Sequence, residues 1–223
     1  MRPALDRLTL HKIYARVAGH YDFQHTLLTA RSDQRGRRLV VEKTVRPGGM
    51  VLDCGAGTGS TALLARDRAG PGGRIILFDM SQDMLAMARR KASAAGALHQ
   101  CRFVIGDMHE LPFADDCFDA ALSTYSMCPL YDPARGAREL FRVVKPGGLI
   151  GVAHSTDPGN TILKWLAEEV EAVVWRLPMI SLGCRSVSIL PALREAGGQV
   201  VFQRRIGIPL WPFLVAVVSK PGL

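Results

Sequence analysis

No CxxC pair occurs in this chain, and its five cysteines, Cys54, Cys101, Cys117, Cys128 and Cys184, are odd in number and scattered. That pattern argues against a zinc site or a disulfide framework, so no metal is expected, and it suits a reducing cytoplasm. Long apolar runs are missing too. The most apolar stretch, Ile206 to Val218, is too short for a bilayer and carries Pro209 and Pro212, so it reads as a buried strand with its approach. The start, MRPALDRLTLHK, is broken by Arg2, Asp6 and Arg7, and no signal peptide is expected. Low-complexity tracts, internal repeats and an interdomain linker are absent. With 48% hydrophobic and 22% charged residues in 223, the chain has the composition of an ordinary globular protein of one α/β domain.

Acidic residues are in the minority, and the formal charge of +8 is unevenly placed. Up to residue 50, Arg2, Arg7, Lys12, Arg16, Arg31, Arg35, Arg37, Arg38, Lys43 and Arg46 face only Asp6, Asp22, Asp33 and Glu42. Such a segment is either a solvated helix face or a surface for anionic partners. Nucleic acid is not expected, because no recognition domain or stacking motif accompanies the charge.

From Met50 onward apolar runs alternate with helical patterns, which predicts βαβ organisation. Strands are expected at Met50–Cys54, Arg74–Asp79, Cys101–Ile105, Phe118–Ser123 and Leu149–Ala153, with helices at Ser60–Arg68, after a Ser81 cap, and at Ala134–Val144. Lys145-Pro146-Gly147-Gly148 stops that last helix. Asn160 caps an amphipathic helix to about Leu177, with Ile162, Leu163, Leu166, Val170, Val173 and Val174 on its apolar side and two tryptophans, Trp165 and Trp175. A short helix near Ser188–Ala196 leads to strands Gln199–Arg205 and Pro212–Ser219. With no helix between them, these form an antiparallel terminal hairpin.

VLDCGAGTGS sets Gly55, Gly57 and Gly59 on alternate positions between a buried strand and a helix. Glycine permits positive φ and close approach of a ligand to the backbone, so this is the first turn of a nucleotide-binding α/β fold. A dinucleotide fingerprint needs glycine where Ser60 stands, and a phosphate loop needs a Gly-Lys-Ser/Thr ending that is missing. Asp53 would repel a pyrophosphate and favour a cation such as the ammonium of a methionine moiety. Asp79, twenty positions after Gly59, can accept both ribose hydroxyls or merely cap the following helix. Asp107 and Met108 follow the third strand, where they can meet an adenine or serve as turn former and core filler.

VLDCGAGTGS, FDMSQDMLAMARRK, GDMHELPFADDCFD and ELFRVVKPGGLI resemble, in order and spacing, the class I methyltransferases. IYARVAGHYD, at Ile13 to Asp22, resembles the opening of the ubiquinone/menaquinone-biosynthesis C-methyltransferase family. The resemblance implies a Rossmann-like, mostly parallel seven-stranded sheet with an antiparallel terminal hairpin, and S-adenosyl-L-methionine as methyl donor. By that likeness Asp53, Gly55, Gly57, Thr58 and Gly59 surround the methionine portion, Asp79 the ribose, and Asp107 and Met108 the adenine. Met80 counts among the donor-binding residues, Thr124 closes the site after strand four, and Tyr21 sits over the donor. Residues 1–49 then form a helical cap, 50–153 the donor-binding core, 154–197 substrate-covering helices and 198–223 the hairpin. The chain departs from the family at Tyr125-Ser126-Met127-Cys128-Pro129, where Phe-Gly-Leu/Ile-Arg-Asn is usual, and at His154, where Glu is usual.

His154, at the carboxyl end of a central strand, is the first candidate for a base, or else a hydrogen-bonded structural histidine. Tyr21 and Tyr125 can orient an acceptor or stack on a cation; His20, His25 and His109 are less well placed, and Cys128 is a small apolar wall residue. Apolar faces on the N-terminal helix and on Asn160–Leu177 suggest a small lipophilic or aromatic acceptor, quinone-like or carried by a membrane to which the protein is peripheral. N- or O-methylation of a phospholipid amine or secondary metabolite, and a catalytically silent donor-binding protein, are the alternatives.

Overall fold

The computed structural model describes residues 4–29, 31–176 and 181–222. The chain opens with helices α1 (Arg7–Val17), α2 (Tyr21–Leu28) and α3 (Ser32–Thr44). There follow β1 (Met50–Cys54), α4 (Ser60–Ala69), β2 (Arg74–Asp79), α5 (Gln82–Ala94), β3 (Cys101–Ile105), β4 (Phe118–Thr124) and α6 (Pro133–Val143). Then come β5 (Val144–Ser155), α7 (Thr161–Trp175), α8 (Leu190–Glu195), β6 (Gln199–Ile208) and β7 (Trp211–Ser219). The helix starts follow capping chemistry: Asp6 Oδ1 accepts from the Thr9 N–H at 2.9 Å, Ser81 Oγ from Met84 at 3.3 Å and Asp132 Oδ1 from Arg135 at 2.9 Å.

Among the described residues seven strands form one sheet, ordered β3-β2-β1-β4-β5-β7-β6. The first five run parallel, whereas β7 is antiparallel to both β5 and β6. This is the expected architecture. The order reverses between β1 and β4, and the carboxyl ends of strands at such a switch point frame a crevice for ligands.

Each face of the sheet buries its own core. Val40 and Val41 of α3, Ala62 and Ala65 of α4 and Ala88 of α5 cover Val51, Leu77, Leu122 and Val215 on one face. Leu140 of α6 and Leu193 of α8 cover Leu52, Ile150, Val152 and Ala216 on the other. A third cluster, with Ile13, Val17, Tyr21, Met84 and Leu182, seats α1 and α2.

Two elements depart from the sequence reading. Strand β5 starts at Val144 rather than Leu149, because Val144 pairs with Phe118 and Leu149 with Ala120, leaving Lys145–Gly148 as a bulge. Pro146 has no N–H for the ladder and Gly147 adopts φ +77°, so this stretch leaves the strand without ending it. Helix α7 begins at its expected cap, where Asn160 Oδ1 accepts from Ile162 at 2.9 Å, yet its apolar side is not buried. Ile162, Trp165, Leu166 and Val170 are exposed. The Val173 side chain and Leu177 lie outside the described residues.

Candidate active site

At the carboxyl ends of β1, β2, β3 and β4 lies a cavity of about 790 Å³ including its mouth, within the usual size of a small-molecule site. Gly55, Gly57 and Thr58 form its floor, Asp79, Met80, Asp107 and Met108 one wall, and Thr124 and Tyr125 another. Leu10 and Tyr14 of α1 and Tyr21 of α2 roof it. Gly57, at φ +53°, has nothing within 4 Å of the place its Cβ would take, so the backbone there is open to a ligand. A Cβ on Gly55 would come within 2.2 Å of Ser126 Cβ. Gly59 does not line the cavity: it precedes α4 in a left-handed conformation, and a Cβ there would lie 2.9 Å from Ala88 Cβ. Its role is helix entry and packing rather than the expected donor contact.

Asp79 does two structural tasks at once. Oδ2 accepts from the Gly57 N–H and Oδ1 from the Ser81 N–H, each at 2.8 Å. Each carboxylate oxygen can accept a further bond, so the helix-cap role leaves room for a ligand hydroxyl. Burial raises its pKa against these hydrogen bonds. His11 Nε2 lies 3.1 Å from the Met80 carbonyl and links α1 to this wall. Asp107 is anchored by its neighbour: Oδ1 accepts from the His109 N–H at 2.9 Å and lies 2.6 Å from His109 Nδ1. The Asp132 N–H points to His109 Nε2 at 3.4 Å, so the proton belongs on Nδ1, facing the carboxylate. Met108, nearly buried, packs against Gly136 beneath the cavity.

Asp53 is fully buried and its carboxylate oxygens have no hydrogen-bond partner among the described residues. It does not line the cavity. Alternation along β1 turns it toward the α3–α4 face, and burial pushes its pKa up to about 7 against the pull of Arg37. Asp53 is thus an acid behind the loop rather than in the cavity wall, and its charge favours a cation in front of it. Arg37 is the buried cation of this layer: Nη1 donates to Thr61 Oγ1 at 2.8 Å and Thr124 Oγ1 at 2.9 Å. Thr124 thus reaches the cavity as expected, held from behind.

Tyr21 and Tyr125 both line the cavity, and burial raises both phenols well above their ordinary pKa, so they are neutral walls. Tyr125 has φ +61°, an uncommon conformation for a side chain of this size. The structure does not bring His154 to the cavity. It is completely buried, opposite Leu214 of β7, with Nδ1 3.0 Å from the Ser155 carbonyl and Nε2 without a hydrogen-bond partner among the described residues. Strand alternation decides this, because Ala153 faces the α3 side and His154 the opposite core. Trp165 and Trp175 lie away from this cavity as well. Arg37, Asp33 and His25 meet beside this site with no motif to mark them, Asp33 Oδ2 lying 3.3 Å from His25 Nδ1 and 3.9 Å from Arg37 Nε. Tyr21 with His25 and Asp33 with Arg37 stand four apart on helices, a spacing that puts each pair on one face.

The model of the ubiE/COQ5 methyltransferase family matches residues 4–174, from the N-terminal helices to the end of α7. The chain belongs to that family. The ubiquinone/menaquinone biosynthesis C-methyltransferase UbiE of Desulfotalea psychrophila is 35% identical over 69% of this chain and 61% of its own length. The demethylmenaquinone methyltransferase of Lactobacillus johnsonii is 30% identical over 70% and 64%. The matched stretch therefore spans less than two thirds of these relatives. Among solved structures, the [4+2]-cyclase SpnF is 25% identical with a TM-score of 0.67, over 85% of this chain and 81% of its own. A geranyl diphosphate methyltransferase in complex with GPP and sinefungin shares the fold at 15% identity and TM-score 0.68, over 84% and 78%. One fold thus carries different reactions, and the site must argue for the chemistry.

Proposed function

We propose that this ubiE/COQ5 family member transfers the methyl group of S-adenosyl-L-methionine to a ring carbon of a small, lipophilic, quinone-like acceptor. The observation that carries the reading is the cavity itself: an open Gly57 floor, Asp79 and Asp107 on one wall, and an orphaned Asp53 behind. These features suit a cationic nucleoside. Gly55, Gly57 and Thr58 would face the methionine portion, Asp79 and Met80 the ribose, Asp107 and Met108 the adenine. Asp53 would supply the counter-charge from behind the loop, with Thr124 and Arg37 bracing it.

When bound, the donor supplies a methyl group already activated on a sulfonium. The protein's own contribution is alignment and exclusion of water, and orientation alone can supply roughly 7–11 kcal/mol. Leu10, Tyr14 and Tyr21 close the roof, and Tyr125 stands where the acceptor would approach. The relatives' names, for a quinone C-methylation, support a carbon acceptor. A lipophilic acceptor also suits the exposed Phe23 and Leu27 of α2 and Trp165 of α7, which together with the basic N-terminal region favour contact with an anionic membrane surface.

Thermal stabilisation by S-adenosylhomocysteine, and none by NAD, is the expected binding result. With donor present, mass spectrometry of quinol pools should show a gain of one methylene mass. Stabilisation without turnover of any acceptor would instead mark a silent donor-binding protein.

A further inference from the structure

Next to the donor cavity is a second chamber of about 570 Å³. Leu28, Val174, Leu182, Trp211 and Phe213 give it apolar walls, and the Tyr125 ring lines both spaces. Among the described residues His25 is its one imidazole. That ring stands between Tyr21, stacked at 5.4 Å with 19° between planes, and Tyr125, met edge-on at 5.1 Å. Tyr21 faces the donor cavity, so His25 sits where the two spaces adjoin. Its Nδ1 is buried, lacks a well-aligned hydrogen bond among the described residues and lies 3.3 Å from Asp33 Oδ2. Asp33, also buried, is fixed by the Thr29 hydroxyl, which donates to Oδ1 at 3.0 Å, and by Gln34 Nε2, which donates to Oδ2 at 3.2 Å.

Resting on the methyl-transfer reading above, we propose that this chamber holds a hydroxylated aromatic ring, a hydroquinone, and that His25, oriented by Asp33, takes its hydroxyl proton. Removing that proton pushes electron density onto the ring carbon to be methylated. The carbon's electron pair forms the new C–C bond while the C–S bond breaks and its pair stays on sulfur. The resulting dienone loses its ring proton to solvent, and the oxygen regains the first proton from His25, so one proton is released per methyl transferred. Asp33 is a positioning residue: its carboxylate keeps the imidazole oriented and stabilises the imidazolium while it lasts.

The charges around His25 are consistent with a proton acceptor. Asp33 and Arg37 face it from α3, Asp22 and Tyr21 from α2, Tyr125 from the loop after β4 and Cys184 from the chamber wall. Burial holds the imidazole below its ordinary value against the pull of Asp33, so it is neutral at pH 7. Burial opposes ionisation of Asp33, but the His25 contact and Arg37 hold it down to about 2, so it remains a carboxylate.

The test uses anaerobic 1,4-naphthohydroquinone as probe, read through quenching of tryptophan emission, with Trp211→Phe to locate the signal in the chamber. His25→Phe should weaken the probe about tenfold, the scale of one hydrogen bond, while 1,4-dimethoxynaphthalene, which has no hydroxyl, binds both proteins alike. In methylation of the same probe, kcat/KM should rise as pH climbs through a value below 6.5, and His25→Phe should abolish that limb and lower kcat by about 10²-fold or more. Asp33→Asn should move the limb to lower pH. Stabilisation of each variant by S-adenosylhomocysteine shows that it is folded, and His25→Asn serves if the aromatic variant is not. If wild type fails to bind that nucleoside, the methyl-transfer reading falls. If it binds but the probe is neither held nor methylated, or if His25→Phe keeps full kcat and the same pH profile, the chamber proposal falls.

Discussion

Asp79 makes the sharpest residue-scale prediction, since its two oxygens already hold the Gly57 and Ser81 N–H groups at 2.8 Å. Asp79→Ala should cost roughly 1.5–3 kcal/mol of S-adenosylhomocysteine binding, measured by calorimetry, and an unchanged affinity would leave only the cap. Asp53 predicts in the other direction. Its folded pKa, about 7, lies above the ordinary 3.8, so the folded state keeps a proton the unfolded chain has released. Stability is fully present below about pH 4 and is lost as pH rises through 7. Asp53→Asn should flatten that decline and gain roughly 1–3 kcal/mol at pH 8, seen in urea midpoints, while weakening the cationic donor. His154 has a depressed pKa through burial, so the unfolded state binds the extra proton and stability falls as pH drops below 6.5. His154→Leu should reduce that acid-side slope and leave the pH profile of methyl transfer untouched. A changed catalytic limb in that variant would restore His154 as the base.

At the scale of elements, the roof over the cavity is strapped to its floor by one carboxylate. Asp22 Oδ1, on α2, accepts from Thr58 Oγ1 at 2.7 Å and Ser60 Oγ at 3.1 Å, while Oδ2 pairs with Lys91 of α5. The same Lys91 ammonium donates to Thr58 and Ser60 at 3.0 and 3.2 Å, so α2, the glycine loop and α5 share one polar knot. The pair is partly exposed, and such contacts are worth about 0.5–1 kcal/mol. Asp22→Asn should therefore barely move global stability. It should speed hydrogen exchange in α1 and α2 more than in β1, and raise the release rate of S-adenosylhomocysteine. Equal exchange in both regions would show that the strap does not set roof opening.

For the whole molecule, the terminal hairpin lies beyond the matched residues 4–174 yet completes the sheet. All six residues from Phe213 to Val218 are buried, and β7 packs against β5, β6 and α3. At roughly 1.5 kcal/mol or more for each large apolar side chain, that burial rivals the 5–15 kcal/mol that holds a typical domain. A chain ending at Gly198 should lose cooperative unfolding, checked by circular dichroism during a urea titration; a sharp transition near the wild-type midpoint would make the hairpin an accessory.

The sequence by itself determined the alternation of strands and helices, the caps at Ser81 and Asn160, the antiparallel hairpin, and the glycine loop between β1 and α4. Each of these is local: a few neighbouring side chains and the φ freedom of glycine decide it. Asp79, Asp107, Met108 and Tyr125 were legible because they end or follow strands whose carboxyl ends the topology brings together, whereas Thr124 and Tyr21 were legible only through the family resemblance. Only the tertiary structure decided which way the side chains at those ends point. Asp53 and His154 sit at strand ends as read, but the pleat turns each into a core, one behind the loop and one opposite Leu214. Helix α7 carries the apolar stripe that was read, yet what it packs against is set by loops and neighbours far along the chain, and most of that stripe stays exposed. The His25–Asp33–Arg37 layer joins α2 and α3 to β4 and α4 across sequence gaps of 24 to 87 residues. No local pattern encodes such a meeting, because it exists only when the cap helices close over the sheet.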